Sequence, residues 1–132
     1  MAKPNPNDRK YTKEHEWAKI DEGNTVTMGI TDHAQELLTD VVYVELPAVG
    51  RKVMKMQPFA VVESVKSVSD IFAPVSGAIM EVNQALEATP ELINKDAFGE
   101  GWIAKIKMDD PSELDSLMTA EGYEEHIKTN PH

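Results

Sequence analysis

Cysteine is absent from the 132 residues, which removes disulfides, a thiol nucleophile and a thiolate metal site at once. Cations are scarce too: 13 Lys and Arg stand against 23 Asp and Glu, a formal charge of −10. Binding nucleic acid or an anionic membrane requires clustered cations, so both classes are excluded. Basic protein surfaces and cationic small groups remain as partners. No apolar run approaches the roughly 20 residues of a membrane span. The stretch 1–10 has neither the apolar core of a signal peptide nor the Arg/Ser-rich character of a transit peptide, which points to the cytoplasm. The histidines His15, His33, His126 and His132 lack HxxxH or HxH spacing, so no metal site is expected. There is no G-x-S-x-G and no nucleophile–base constellation, so no enzyme is expected either. Gly99-Glu100-Gly101 lacks the lysine and the strand–loop–helix setting of a phosphate loop.

What is present reads as one domain of many short strands. Residues 1–9, with two prolines, two asparagines and almost nothing apolar, form an expected flexible lead-in. Tyr11 to Ile30 reads as two strands around the turn Asp21-Glu22-Gly23-Asn24. TDHAQELL follows as a short helix, with Asp32 and Gln35 as a capping box. Val41 to Leu46 alternates, placing Val42, Val44 and Leu46 on one face, and Pro47 stops it. The runs 59–64, 68–73, 78–82 and 102–107 are further strands, with a looser stretch through Pro90 between the last two. At the end, Asp110, Pro111 and Glu113 make a second capping box, and another helix is expected from near Thr119 to Ile127. Seven acids and no Lys or Arg lie between Asp109 and Ile127, a solvated face or a surface for a basic partner. Turn signals every 8–12 residues or about that predict an all-β sandwich or barrel with appended helices.

Lys66 stands out. It lies in the polar centre Val65-Lys66-Ser67 between two strand runs, which puts it at a hairpin tip with Ser64, Ser67 and Ser69 keeping the surroundings small. An isolated turn lysine is ordinarily just solvated. An enzyme that acylates a lysine, however, requires this kind of protruding, unhindered amine.

The segment ESVKSVSDIFAPVSGAIMEVN resembles the lipoyl-lysine region of the glycine cleavage system H-protein family. The likeness extends upstream through HEW (15–17), GITDHAQ (29–35) and VVYVELPAVG (41–50), and downstream through ELIN (91–94) and GEGWIAKIK (99–107). It covers roughly residues 10–128, the expected single lipoyl-carrier domain. The resemblance implies an all-β barrel-sandwich hybrid of two antiparallel sheets, with short helices and a helical C-terminal tail. It implies lipoate joined to Lys66 as an amide, and carriage rather than catalysis. Glycine decarboxylase would load an aminomethyl group on the arm, an aminomethyltransferase would pass the carbon on, and dihydrolipoyl dehydrogenase would reoxidise the dithiol. A lipoate-attaching enzyme is a fourth partner, and a monomer is the implied state. The acids matching the family's arm cleft are Glu16, of HEW, and Asp70, four residues after the lysine. Some members carry Ser before HEW, where this chain has Glu14. The alternative reading is a lipoate-relay or regulatory H-protein-like protein.

A second motif competes. Val53-Met54-Lys55-Met56 resembles the attachment site of biotin carriers, a related all-β family. Its position argues against it: the slot between a strand ending in Glu and a Pro/Gly turn is filled by Glu63, Lys66, Pro74 and Gly77. Met54 and Met56 are then expected to contribute to packing.

Overall fold

The expected first hairpin forms as β2 (Glu16–Ile20) and β3 (Thr25–Ile30), paired antiparallel in a computed structural model that describes residues 4–129. Gly23 in its turn has φ +63°, a left-handed conformation glycine adopts without a Cβ clash. Across the pair, Gly29 faces Trp17, and a Cβ there would meet the indole at 2.9 Å. Trp17 therefore lies flat against the strand backbone, and its Nε1–H donates to the carbonyls of Ile30 and Ala97, each at 3.0 Å.

The remaining strands are β1 (Lys10–Tyr11), β4 (Val41–Glu45), β5 (Lys52–Val53), β6 (Pro58–Ser64), β7 (Val68–Phe72), β8 (Gly77–Val82) and β9 (Ala104–Met108). They make a six-stranded sheet in the order β1-β2-β3-β9-β8-β5 and a three-stranded sheet β4-β6-β7. All described pairings are antiparallel. The sheets close around one core that includes Val26, Met28, Ile30, Val44, Val62, Ile71 and Ile106. This is the expected barrel-sandwich hybrid. A second, aromatic cluster joins Tyr11 and Trp17 to Ala120 and Tyr123 of the C-terminal helix α4 (Ala120–Thr129), with the Tyr11 and Tyr123 rings stacked at 4.9 Å.

Several local expectations change. In β4 a bulge between Val41 and Tyr43 breaks the alternation, so Val41 and Val44 are both buried while Val42 and Tyr43 face out. The helix α1 (Asp32–Leu38) is capped one residue earlier than read: Thr31 Oγ1 accepts from the Ala34 N–H, and Asp32 accepts from the Gln35 side chain. Two short helices, α2 (Ala85–Ala88) and α3 (Leu92–Lys95), occupy the stretch read as loose. Asp110 does cap a 3₁₀ helix (Pro111–Ser116), yet Glu113 turns away to bind the Ser76 N–H and hydroxyl. Its second capping bond is replaced by a tie between distant segments.

Residues 1–3 of the lead-in, and His132, lie outside the described residues. From Pro6 onward the lead-in meets the domain: the Pro6 carbonyl accepts from Tyr11 Oη, and the Arg9 guanidinium sits 4.6 Å from the Trp17 ring centroid. No helix among the described residues is long and apolar enough to cross a membrane.

Candidate functional site

Strands β6 and β7 meet at a turn that places Val65 and Lys66 at its apex. The Ser64 N–H donates to the Ser67 carbonyl at 2.8 Å, closing the hairpin. Ser64 is buried, and its Oγ accepts from the N–H groups of Ser67 (3.1 Å) and Lys66 (3.4 Å). The Val65 N–H donates to the Asp40 carbonyl at 3.1 Å, tying the apex to the segment after α1. Every backbone amide from residue 64 to 67 is thereby satisfied without the Lys66 side chain, which is exposed. Val65 and Val68 on either side are 68 % and 67 % exposed, so nothing covers the amine. A protruding lysine on a held turn can accept an acyl group without unfolding anything.

Following β7 away from the tip, a small groove of about 100 Å³ opens between the two sheets. Glu14, His15, Ala34, Leu38, Ser69 and Asp70 are among its lining residues. Asp70 is exposed and pairs across the sheet with Val61. Glu16 is elsewhere. Only 1 % exposed, it accepts from Thr12 Oγ1 at 2.5 Å and from the Phe72 N–H at 3.2 Å, bridging the two sheets from behind the groove. The Thr12 hydroxyl already accepts from the Glu14 and Glu16 amides, which makes it the donor in this pair. Burial pushes the Glu16 carboxyl up to about 8 despite both hydrogen bonds. The structure thus does not bring Glu16 and Asp70 together as two solvent-facing anions. The second acid at the groove is Glu14.

His15 opens the HEW segment. It adopts φ +74° and points its Nδ1 to Tyr123 Oη at 2.8 Å, while that oxygen also lies 2.8 Å from Thr31 Oγ1. Burial, with His33 and His126 nearby, pulls the imidazole down to about 4. The ring centroids of His15 and His33 are 5.0 Å apart, and those of His15 and His126 6.2 Å. This grouping comes from three separate elements and was invisible in the spacing. Among the described residues no group of three His, Cys, Asp or Glu is arranged to hold a metal ion.

Lys55 contrasts with Lys66. It lies half-buried in the loop before β6, and its Nζ hydrogen-bonds Ser116 Oγ. The amine of the VMKM motif is tethered rather than presented.

The glycine cleavage H-protein family profile matches residues 9–130. A glycine cleavage system H protein of Thermus thermophilus is 61 % identical over 124 residues, 94 % of this chain and 96 % of that protein. One of Symbiobacterium thermophilum is 54 % identical over 123 residues, covering 93 % and 95 %. Among solved structures, the crystal structure of a glycine cleavage system H protein from Mycobacterium marinum is similar with a TM-score of 0.84 and 39 % identity, covering 97 % of this chain and 100 % of that one. With its hairpin lysine, its groove and its two-sheet frame, the chain belongs to the glycine cleavage H-protein family.

Proposed function

We propose that Lys66 is the lysine that carries lipoate, through an amide to its Nζ, and that the protein works as a carrier moving an aminomethyl group between enzymes. As a family member the chain is a carrier component of the glycine cleavage system. The observation that supports Lys66 is the turn itself. Its backbone is satisfied by Ser64, Ser67 and Asp40, so the exposed amine is unhindered and its acylation costs the fold no hydrogen bond. The attached dithiolane would supply the redox-active sulfur that accepts the one-carbon amine.

The chain's own contribution is positional. Asp70 and Glu14 line the groove along β7 and offer carboxylates to a cationic load. A unit charge pair at about 4 Å is worth roughly 1 kcal/mol in water and about 4 at an effective dielectric of 20, so shelter in the groove decides how much they hold. Glu14 takes the place of the Ser found in some relatives. Glu16 acts from behind, joining β2 to the Phe72 amide and so fixing the wall on which Asp70 stands. The partners in this reading are glycine decarboxylase, an aminomethyltransferase, dihydrolipoyl dehydrogenase and a lipoate-attaching enzyme, met by a cytoplasmic monomer.

The test is intact mass and peptide mapping of protein produced with lipoate available. One lipoyl group on Lys66, lost in Lys66→Arg with the fold retained, is the expected result. An adduct mapped to Lys55 or Lys105 overturns the assignment.

A further inference from the structure

The VMKM lysine has no part in the carriage proposed above, yet the fold holds it firmly in place. Met56 beside it has φ +65°, a left-handed conformation unfavourable for a side chain of its size. Three bonds hold the loop there: the Lys55 N–H to Ser76 Oγ (2.8 Å), the Met56 N–H to the Ala73 carbonyl (2.7 Å) and the Gln57 N–H to the Met54 carbonyl (2.9 Å). Held so, Lys55 and Met56 form one wall of a cavity of about 450 Å³. The other walls come from β1 and the turn after it, from residues 116–118, and from α4.

The lining is unusual for a chain of formal charge −10. Lys13, Lys55 and His126 face the cavity, and no acidic side chain lines it. Among the described residues neither lysine is in a salt bridge. The Lys55 amine is positioned by the Ser116 hydroxyl, which itself donates to the Glu113 carbonyl at 2.8 Å, so the ammonium is oriented without being neutralised. Met56, Leu117 and Met118 supply an apolar wall beside these cations. Uncompensated cations next to flexible thioethers are complementary to an anion with a flexible apolar body. Lysines act as point charges that hold carboxylate and phosphate alike, so the apolar wall beside them is what favours an anion carrying a chain.

We propose that this cavity is a binding site for a small aliphatic carboxylate, with Lys55 and Lys13 holding the carboxylate and Met56, Leu117 and Met118 packing its chain. The site is separate from the arm groove. The two share no lining residue, and they adjoin where Lys13 precedes Glu14 and where the His126 and His15 rings lie 6.2 Å apart.

The test is titration of hexanoate into the isotope-labelled full-length protein, followed by backbone amide shifts, with acetate and inorganic phosphate as controls. Saturable shifts confined to residues 11–13, 55–57, 116–118 and 126 are expected, with acetate and phosphate at least about tenfold weaker. Lys55→Gln and the exposed Lys13→Gln should each weaken hexanoate about tenfold, the low end for a hydrogen bond to a charged group. Lys13→Gln keeps the test standing where Lys55→Gln fails to fold. Lys66→Arg should bind hexanoate like the unaltered chain, so a failure of the carrier assignment leaves this result readable. Absence of saturation, unchanged affinity in the folded lysine variants, or phosphate binding as tightly as hexanoate would each overturn the proposal.

Discussion

Lys66 and Lys55 each sit in a short segment that resembles an acylation motif, and the fold treats the two amines in opposite ways. Around Lys66 the backbone is satisfied by its neighbours, leaving the side chain nothing to bond inside the protein. Around Lys55 a left-handed methionine and three loop bonds hold the backbone, and the side chain lies along the surface against Ser116. A motif string describes neighbours along the chain. Whether an amine can be modified depends on neighbours in space, and here those differ completely.

The comparison breaks most readily through lipoylation. Lys66→Arg should lose the lipoyl adduct entirely, while Lys55→Arg should keep it in full, as read by intact mass. Equal loss in both variants would mean that the enzyme reads the Lys55 loop as well as the hairpin.

Next in size is the frame behind the hairpin. Glu16 has its carboxyl raised from 4.5 to about 8, so between those pH values the folded chain holds a proton that the unfolded chain has released. Stability should therefore fall as pH rises through that window, by on the order of 5 kcal/mol from this group. Glu16→Gln should flatten that slope in denaturant titrations at pH 5 and pH 8. A slope left unchanged by the substitution would show that the bridge to Phe72 is an ionised one.

Smaller effects concern the turn and the tether. Ser64→Ala removes the acceptor for the Ser67 and Lys66 amides, and should cost about 1–2 kcal/mol while leaving Lys66 as the modified residue. Unchanged stability would mean that water replaces the hydroxyl. Finally, a general amine-acetylating reagent should modify Lys66 faster than Lys55, and Ser116→Ala should raise the Lys55 rate a few-fold by freeing its amine. Peptide mass spectrometry reads both rates, and equal rates in the unaltered protein would erase the distinction between the two lysines.

Much of this arrangement was legible in the chain. The strand runs, the hairpin at Lys66 and the final helix follow from alternation, turn residues and caps, all of which act within a few residues. Apart from the short helices α2 and α3, the misses share a cause, since each depends on a partner far along the chain. The β4 bulge exists only in register with β6, so Val42 could not be placed outside from its own neighbours. Thr31 outcompetes Asp32 as the cap in a setting where its hydroxyl also meets Tyr123. Glu113 leaves its own helix for Ser76. At the site, HEW marked Glu16 as an acid of interest, but alternation could not say that the carboxyl faces inward to Phe72 while Glu14 faces the groove. His15 drew no signal beyond its place in the motif, because Tyr123 lies 108 residues away.

The bond from the Val65 amide to the Asp40 carbonyl also bears on how an attached arm would find its partners. With the apex pinned to the body, the tether's root does not wander, and the volume swept by the arm is set by rotations within lysine and lipoate alone. The effective concentration of the dithiolane at a docked enzyme then depends on tether length and docking distance, not on motion of the hairpin.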